Sequence, residues 1–126
     1  MREIKFRGIC LKTGEWVYGD VHFNADCTKA HIHKRGDRVK SHDIDPTTVG
    51  QYIDRKDKNG VEIYKGDILV ICETRPPLSV AFRDGSFGYI THNCFISFLH
   101  LLPGDLEVIG NIHENPELLE RKCYEC

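Results

Sequence analysis

The sequence lacks several features that would each assign it to a class of protein. None of its apolar runs approaches the ~20 residues that a membrane-spanning helix needs. Its first residues, Met1 to Phe6, lack the apolar centre of a secretion signal. The 17 basic side chains nearly balance the 19 acidic ones, so the net charge of -2 creates no overall field that would hold a polyanion. We therefore expect a cytoplasmic protein in which any attraction to an anionic partner is local.

Catalytic signatures are also missing. The chain contains no nucleophile-elbow serine, no phosphate-cradling glycine loop and no His-Glu helix motif. Asp54, Asp57 and Asp67 lie beside turns, where aspartate commonly hydrogen-bonds the local backbone, so we interpret them as structural. The sequence predicts a protein that is not an enzyme and that needs no cofactor.

Cysteine is present without indicating a disulfide framework. The six cysteines are an even number, which in a secreted chain would point to disulfides. Without a secretion signal, reduced thiols are the favoured interpretation. Cys123 and Cys126 have the spacing that lets two thiols share a metal or form a redox disulfide, but a structural zinc site normally needs a second such pair.

Short segments of alternating polarity, separated by glycine and asparagine turns, run through the chain. At 126 residues, with 40% apolar side chains, the chain has room for one compact domain or for two small subdomains. The turn at Asn59 and Gly60 is the strongest hairpin signal, because both residues tolerate positive φ angles. The continuous apolar run from Ile68 to Cys72 is typical of a strand that is covered on both faces.

These patterns predict a mainly β fold of small barrel-like subdomains, SH3-like or related, that share a core. Residues 1–46 form an N-terminal β-hairpin subdomain, with a second, more exposed hairpin between Asn24 and Asp45. Residues 47–126 form a barrel-like subdomain that ends in a short helix, with Asn115 as its N-cap and Pro116 at its first position. The segment from Cys94 to Leu102 suits either a strand or a short buried helix, and we favour the strand.

Six motifs, spread in order over nearly the whole chain, resemble the YopX-like proteins of bacteriophages and prophages. The resemblance implies a mainly β, self-associating protein with no established biochemical activity and no catalytic residues. It is loose between Asn24 and Asp45 and between Arg75 and Leu102. The motifs are Ile4 to Gly8, Thr13 to Gly19, Val49 to Tyr52, Lys56 to Gly60, Glu62 to Ile68 and Glu107 to Leu119.

Three histidines form a candidate metal site. His31 and His33 are two residues apart on a predicted strand, so both side chains point to one face, and His22 could lie on a neighbouring strand. Three imidazoles that converge could bind zinc or nickel. The alternative is a solvated polar strand face, since no fourth ligand is placed by the sequence.

A basic stretch forms a candidate nucleic-acid site. This stretch belongs to the second predicted hairpin, which could lie along the phosphates of a nucleic acid. Trp16, Tyr18 or Tyr52 could stack on bases if they are exposed. The alternative is a charged hairpin that keeps an edge strand from pairing with other molecules. The basic residues are Lys29, Lys34, Arg35, Arg38 and Lys40.

We therefore predict a non-catalytic phage or prophage protein of binding or assembly that forms homo-oligomers, because many short strands in a small chain leave edges to cover. The alternative is a nucleic-acid-binding accessory protein of phage replication or gene control. The sequence identifies no membrane partner and no small-molecule substrate. Exposed aromatic side chains on one sheet face would favour the alternative, since a stacking platform is exposed to water when unoccupied.

Overall fold

The structure is a computed structural model that describes residues 3–37, 39–70, 76–91, 94–97 and 106–120. The described ranges contain eleven strands and two 3₁₀ helices, Pro46–Thr48 and Pro116–Glu120. Neither helix has the length or the apolar content of a membrane-spanning segment, and no longer helix lies in these ranges. The strands are β1 (Phe6–Ile9), β2 (Trp16–Phe23), β3 (Ala30–His33), β4 (Ser41–Ile44), β5 (Gly50–Lys56), β6 (Glu62–Tyr64), β7 (Asp67–Val70), β8 (Leu78–Arg83), β9 (Ser86–Thr91), β10 (Cys94–Ser97) and β11 (Glu107–Asn111).

The strands form two sheets, ordered β4-β3-β2-β1-β5-β6 and β10-β9-β8-β7-β11. The chain divides into two compact units, Met1–Tyr52 and Ile53–Cys126, which we call the N-terminal and the C-terminal unit. Strand β5 contains the point of division. The boundary between residues 46 and 47 that the sequence predicts stays a prediction.

The N-terminal unit is built from consecutive antiparallel hairpins. Phe6 of β1 lies opposite Gly19 of β2, and β2 pairs in turn with β3, which pairs with β4. The second hairpin is therefore present where the alternation predicts it. Every second side chain points inward, and a fully buried aliphatic side chain such as Ile32 contributes ~1.5–3 kcal/mol to stability. The buried cluster consists of Cys10, Val17, Ala30, Ile32 and Ile44.

The end of β1 also contacts the end of β4. An isolated bridge joins Cys10 to Ile44. Two backbone hydrogen bonds flank it, from Leu11 N to Asp43 O at 2.9 Å and from Asp45 N to Ile9 O at 2.9 Å. This contact brings the loop after β1 beside strand β4.

The C-terminal unit has its core on the five-stranded sheet. Strand β7 lies between β8 and β11, and both Ile68 and Leu69 are fully buried, which confirms a strand covered on both faces. Gly60 turns the chain with φ of 80°. Residues Cys94 to Ser97 form a strand, as favoured, while residues 98–102 lie outside the described residues. The buried cluster consists of Ile53, Ile63, Leu69, Leu78, Val80, Tyr89 and Leu106.

One predicted feature of the fold is wrong, and another is confirmed only in part. The described strands form no closed barrel, because the five-stranded sheet ends in β10 on one side and β11 on the other. The C-terminal helix is only a 3₁₀ segment, in which Leu118 N donates to Asn115 O at 3.0 Å. The Asn115 side chain does not act as the predicted cap, since its Oδ1 accepts from Asn111 N at 3.3 Å.

Candidate functional site

Asp57 of the C-terminal unit is bound on both carboxylate oxygens by the backbone. Its Oδ1 accepts from Asn59 N at 2.8 Å and from Val61 N at 2.9 Å, and its Oδ2 accepts from Val108 N at 3.0 Å. Burial raises the pKa of this carboxyl, but the three hydrogen bonds stabilise the ionised form more, so its pKa lies below the ordinary value. Asp57 is structural, as predicted.

Asp67 and Asn111 have the same kind of role. The buried Asp67 accepts from Tyr64 N at 2.8 Å through Oδ2. Asn111 Oδ1 accepts from His113 N at 3.0 Å and from Glu114 N at 2.9 Å. These polar residues hold turns and strand ends together, so their hydrogen-bonding capacity serves the fold.

The N-terminal sheet has an outer face that is rich in polar and aromatic side chains. Residues directly opposite each other in an antiparallel pair share a face, and alternate residues along a strand share it too. The pairing of β1 with β2, of β2 with β3 and of β3 with β4 therefore identifies the residues on the face opposite the buried Val17 and Ala30. We define the outer face as Arg7, Ile9, Trp16, Tyr18, Asp20, His22, His31, His33, Ser41 and Asp43.

Aromatic side chains are accessible on this face. The Tyr18 side chain is 46% exposed. Trp16 is half-buried, and Cζ of the buried Arg7 lies 4.3 Å from the centroid of its ring. Tyr52, the third candidate for stacking, is only 4% exposed and lies under Lys5 Nζ at 5.0 Å. Stacking by Tyr52 is therefore excluded, whereas Tyr18 and part of Trp16 are exposed to solvent.

The three histidines share the outer face, as the alternation predicts. His22 lies directly opposite His31, and the rings of His22 and His33 meet edge to face with centroids 5.8 Å apart. His31 Nδ1 instead lies 3.0 Å from Asp43 Oδ1. Within the described ranges, no three His, Cys, Asp or Glu side chains are grouped so that they could hold a metal ion. The predicted metal site on His22, His31 and His33 stays a prediction without support from this geometry.

The basic stretch is divided between the two ends of β3. Lys29 ends the turn before the strand, whereas Lys34 and Arg35 follow it and Lys40 precedes β4. The four residues of β3 lie between Lys29 and Lys34, which places their Cα atoms ~16 Å apart. Arg35 Nη2 donates to Ile4 O, which ties that side chain to the backbone. Arg38 lies outside the described residues.

The turns that carry the lysines are ordered by aspartate and asparagine. Lys29 N donates to Asn24 Oδ1 at 2.9 Å, and the Thr28 hydroxyl donates to Asp26 Oδ1 at 2.7 Å. Asp37 Oδ1 accepts from Lys40 N at 3.0 Å. These hydrogen bonds keep the pKa values of the Asp26 and Asp37 carboxyls below their usual range.

A pocket of about 400 Å³ opens beside the His31 and Asp43 pair. The sequence does not reveal it, because Leu11 and Asp43 come together only through the contact between the ends of β1 and β4. In the sequence, only the alternation of Asp43 with the apolar Ile44 indicates to which face the Asp43 side chain points. The lining residues are Leu11, Thr28, Lys29, Ala30, His31, Asp43, Ile44 and Pro46.

Comparison with known proteins identifies the family of this chain. The model of the YopX protein family matches residues 5–120, which is nearly the whole chain. The chain belongs to the YopX protein family. A crystal structure of protein EF1440 from Enterococcus faecalis is similar, with 29% sequence identity and a TM-score of 0.60. The match covers 94% of this chain and 99% of that chain. No curated protein matches.

The YopX motifs and the outer face overlap only in part. Arg7, Trp16 and Tyr18 lie in two of the segments that carry the resemblance. His31 and Asp43 lie between Asn24 and Asp45, where the resemblance is loose. The aromatic half of the face thus lies in segments that carry the resemblance, and the histidine half lies where the resemblance is loose.

Proposed function

We propose that this YopX protein is a non-catalytic binding protein and that single-stranded nucleic acid binds on the outer face of its N-terminal sheet. The observation that supports the proposal is the 46% exposure of Tyr18 on a strand whose neighbouring outer-face residue, Trp16, is only half-buried. The setting that we propose is an accessory role in phage replication or gene control.

Stacking supplies the first part of the proposed affinity. Every base has a flat face, so an exposed aromatic ring on a sheet binds single strands with little dependence on sequence, at ~1–3 kcal/mol per base. Tyr18 offers such a ring. Arg7 lies against Trp16 at 4.3 Å, which orients the indole and gives the face a positive charge.

Phosphate contacts supply the second part. Lys29 lies at one end of the outer face, and Lys34 and Lys40 lie at the other. Each phosphate neutralised on a single strand lowers the slope of log affinity against log salt by ~0.7, so three lysines predict a slope of about -2. The net charge of -2 opposes tighter binding of a polyanion.

The test is a titration with a labelled oligothymidine of twelve residues, followed by anisotropy and by the fluorescence of Trp16, which is the single tryptophan of the chain. We expect quenching on binding and a loss of about fivefold to tenfold in affinity for Tyr18→Ala, as for one stacked base.

Phe23→Ala is the matched control, because Phe23 lies on the same strand, is 45% exposed and points to the opposite face. The control should bind as the wild type does. Equal losses in the two variants, or no binding at low salt, would overturn the proposal.

A second candidate function is self-association into a homo-oligomer. Among the described strands, β10 pairs only with β9, and Cys94 at its start is exposed. An edge of this kind can pair with the same edge of a second copy. Sedimentation at micromolar concentration under reducing conditions is the test, with a dimer or larger species expected. A monomer throughout that range would contradict this candidate.

A further inference from the structure

The pocket beside His31 presents a defined set of chemical groups. Its volume of about 400 Å³ lies within the range of ~300–1,000 Å³ typical of small-ligand sites. Its lining includes the basic Lys29, the acidic Asp43 and the apolar Leu11 and Pro46. A ligand that fits these groups has an anionic group, hydrogen-bond donors and an apolar surface.

The Asp43 carboxylate is held in place as an acceptor. Asp43 and His31 lie directly opposite each other in the register of β3 and β4, and Asp43 Oδ1 is 3.0 Å from His31 Nδ1. The backbone is fixed as well, since Asp43 O accepts from Leu11 N at 2.9 Å. Among the described residues, the hydrogen bond to this carboxylate involves Oδ1, so Oδ2 can accept from a ligand.

Lys29 is placed to meet the anionic group. The side chain of Asn24 accepts from Lys29 N at 2.9 Å, and Lys29 O accepts from Asn24 N at 3.1 Å. Both backbone groups of Lys29 are therefore fixed, while its side chain remains exposed. An ammonium group on a fixed backbone is a suitable partner for one phosphate.

Leu11 completes the pocket with an exposed apolar surface. It is 65% exposed, although its backbone N–H is bonded to strand β4. The flat face of a base covers such a surface. Because the outer face carries both His31 and Tyr18, a strand that stacks on Tyr18 can continue toward this pocket.

We infer that the pocket holds one nucleotide of the bound strand, with its phosphate at Lys29 and the donor edge of its base at Asp43. Guanine fits best, because its N1–H and N2–H₂ groups lie side by side and the two lone pairs of Asp43 Oδ2 can accept from both. Adenine and cytosine offer one amino group, and thymine offers only its imino hydrogen. This inference rests on the proposed binding of single strands and adds a base preference to it.

The test compares oligothymidines in which one central residue is guanine, hypoxanthine or adenine. We expect the wild type to bind the guanine strand about fivefold to tenfold more tightly than the adenine strand. The hypoxanthine strand should lie between them, since its base lacks the 2-amino group.

Two carboxylate variants separate the pocket from the rest of the face. Asp43→Ala should remove the preference for guanine, so that the guanine and adenine strands bind with equal affinity. Asp20→Ala, which removes another exposed carboxylate of the outer face, should keep the preference.

The outcomes distinguish the two proposals. Binding of all strands with equal affinity would overturn the pocket inference and leave the proposed function standing. A guanine preference that persists in Asp43→Ala would also overturn the pocket inference. If no strand binds, both proposals fail.

Discussion

The polar side chains at the turns and strand ends of the C-terminal unit differ in their surroundings from the side chains on the outer face of the N-terminal sheet. In the C-terminal unit, Asp57, Asp67 and Asn111 are bound to backbone N–H groups at 2.8 to 3.0 Å. In the N-terminal unit, Tyr18 and His22 project from a sheet face into solvent. A residue that satisfies the backbone has little capacity left for a partner. The difference teaches that motif residues of one family can have different roles, since Asp57 supports the fold while Tyr18 lies exposed on a sheet face.

The largest expected effect is on stability and concerns Asp57 of the C-terminal unit. Asp57→Ala leaves the N–H groups of Asn59, Val61 and Val108 without their acceptor, and we expect a loss of ~3–5 kcal/mol in the free energy of unfolding. Chemical denaturation measures it. Asp20→Ala, at an exposed position, is the control and should change stability by less than ~0.5 kcal/mol. Similar small effects in both variants would show that Asp57 is not a structural residue.

The second effect is a dependence of stability on pH. Hydrogen bonds keep the pKa of Asp57 below its ordinary value of 3.8. The stability that this group contributes is therefore complete above that ordinary value and is lost as the pH falls through the lower pKa of the folded state. Denaturation from pH 6 to pH 2 should show a steeper acid loss for the wild type than for Asp57→Asn. Parallel curves for the two proteins would contradict the assignment.

The smallest expected effect on stability concerns the outer face of the N-terminal sheet. Tyr18→Ala removes an exposed ring, so we expect a change of less than ~1 kcal/mol in the free energy of unfolding. Ile32→Ala, on the buried face of the same sheet, should cost ~2–5 kcal/mol because it leaves a cavity. Thermal denaturation of the two variants compares the faces directly. A loss for Tyr18→Ala as large as that for Ile32→Ala would mean that the outer face is part of the fold.

Much of the fold could be predicted because its signals are local. The turn at Asn59 and Gly60 needs a positive φ only at Gly60, and the apolar run at Ile68 and Leu69 needs only burial on both faces. The C-terminal helix begins at Pro116 as predicted, but its 3₁₀ type was not predicted, and neither was the bond from Asn111 N to the Asn115 side chain. The barrel was wrong because strand order depends on pairing partners and not on strand composition.

The candidate site was predictable only in pieces. The alternation placed His31 and His33 on one face, and the aromatic candidates included Tyr18. The burial of Tyr52, the separation of Lys29 from Lys34 and the pairing of His31 with Asp43 all arise from strand pairing, so no local pattern indicated them.

The residues alone determine a mainly β protein, because alternation and turn chemistry act over a few neighbouring residues. The tertiary structure determined which side chains are exposed to a partner. Val108 donates to Asp57 across 51 residues, and Asp43 meets His31 across 12. Contacts over such distances depend on how the strands pair, and that pairing leaves Tyr18 and the Asp43 pocket open to solvent.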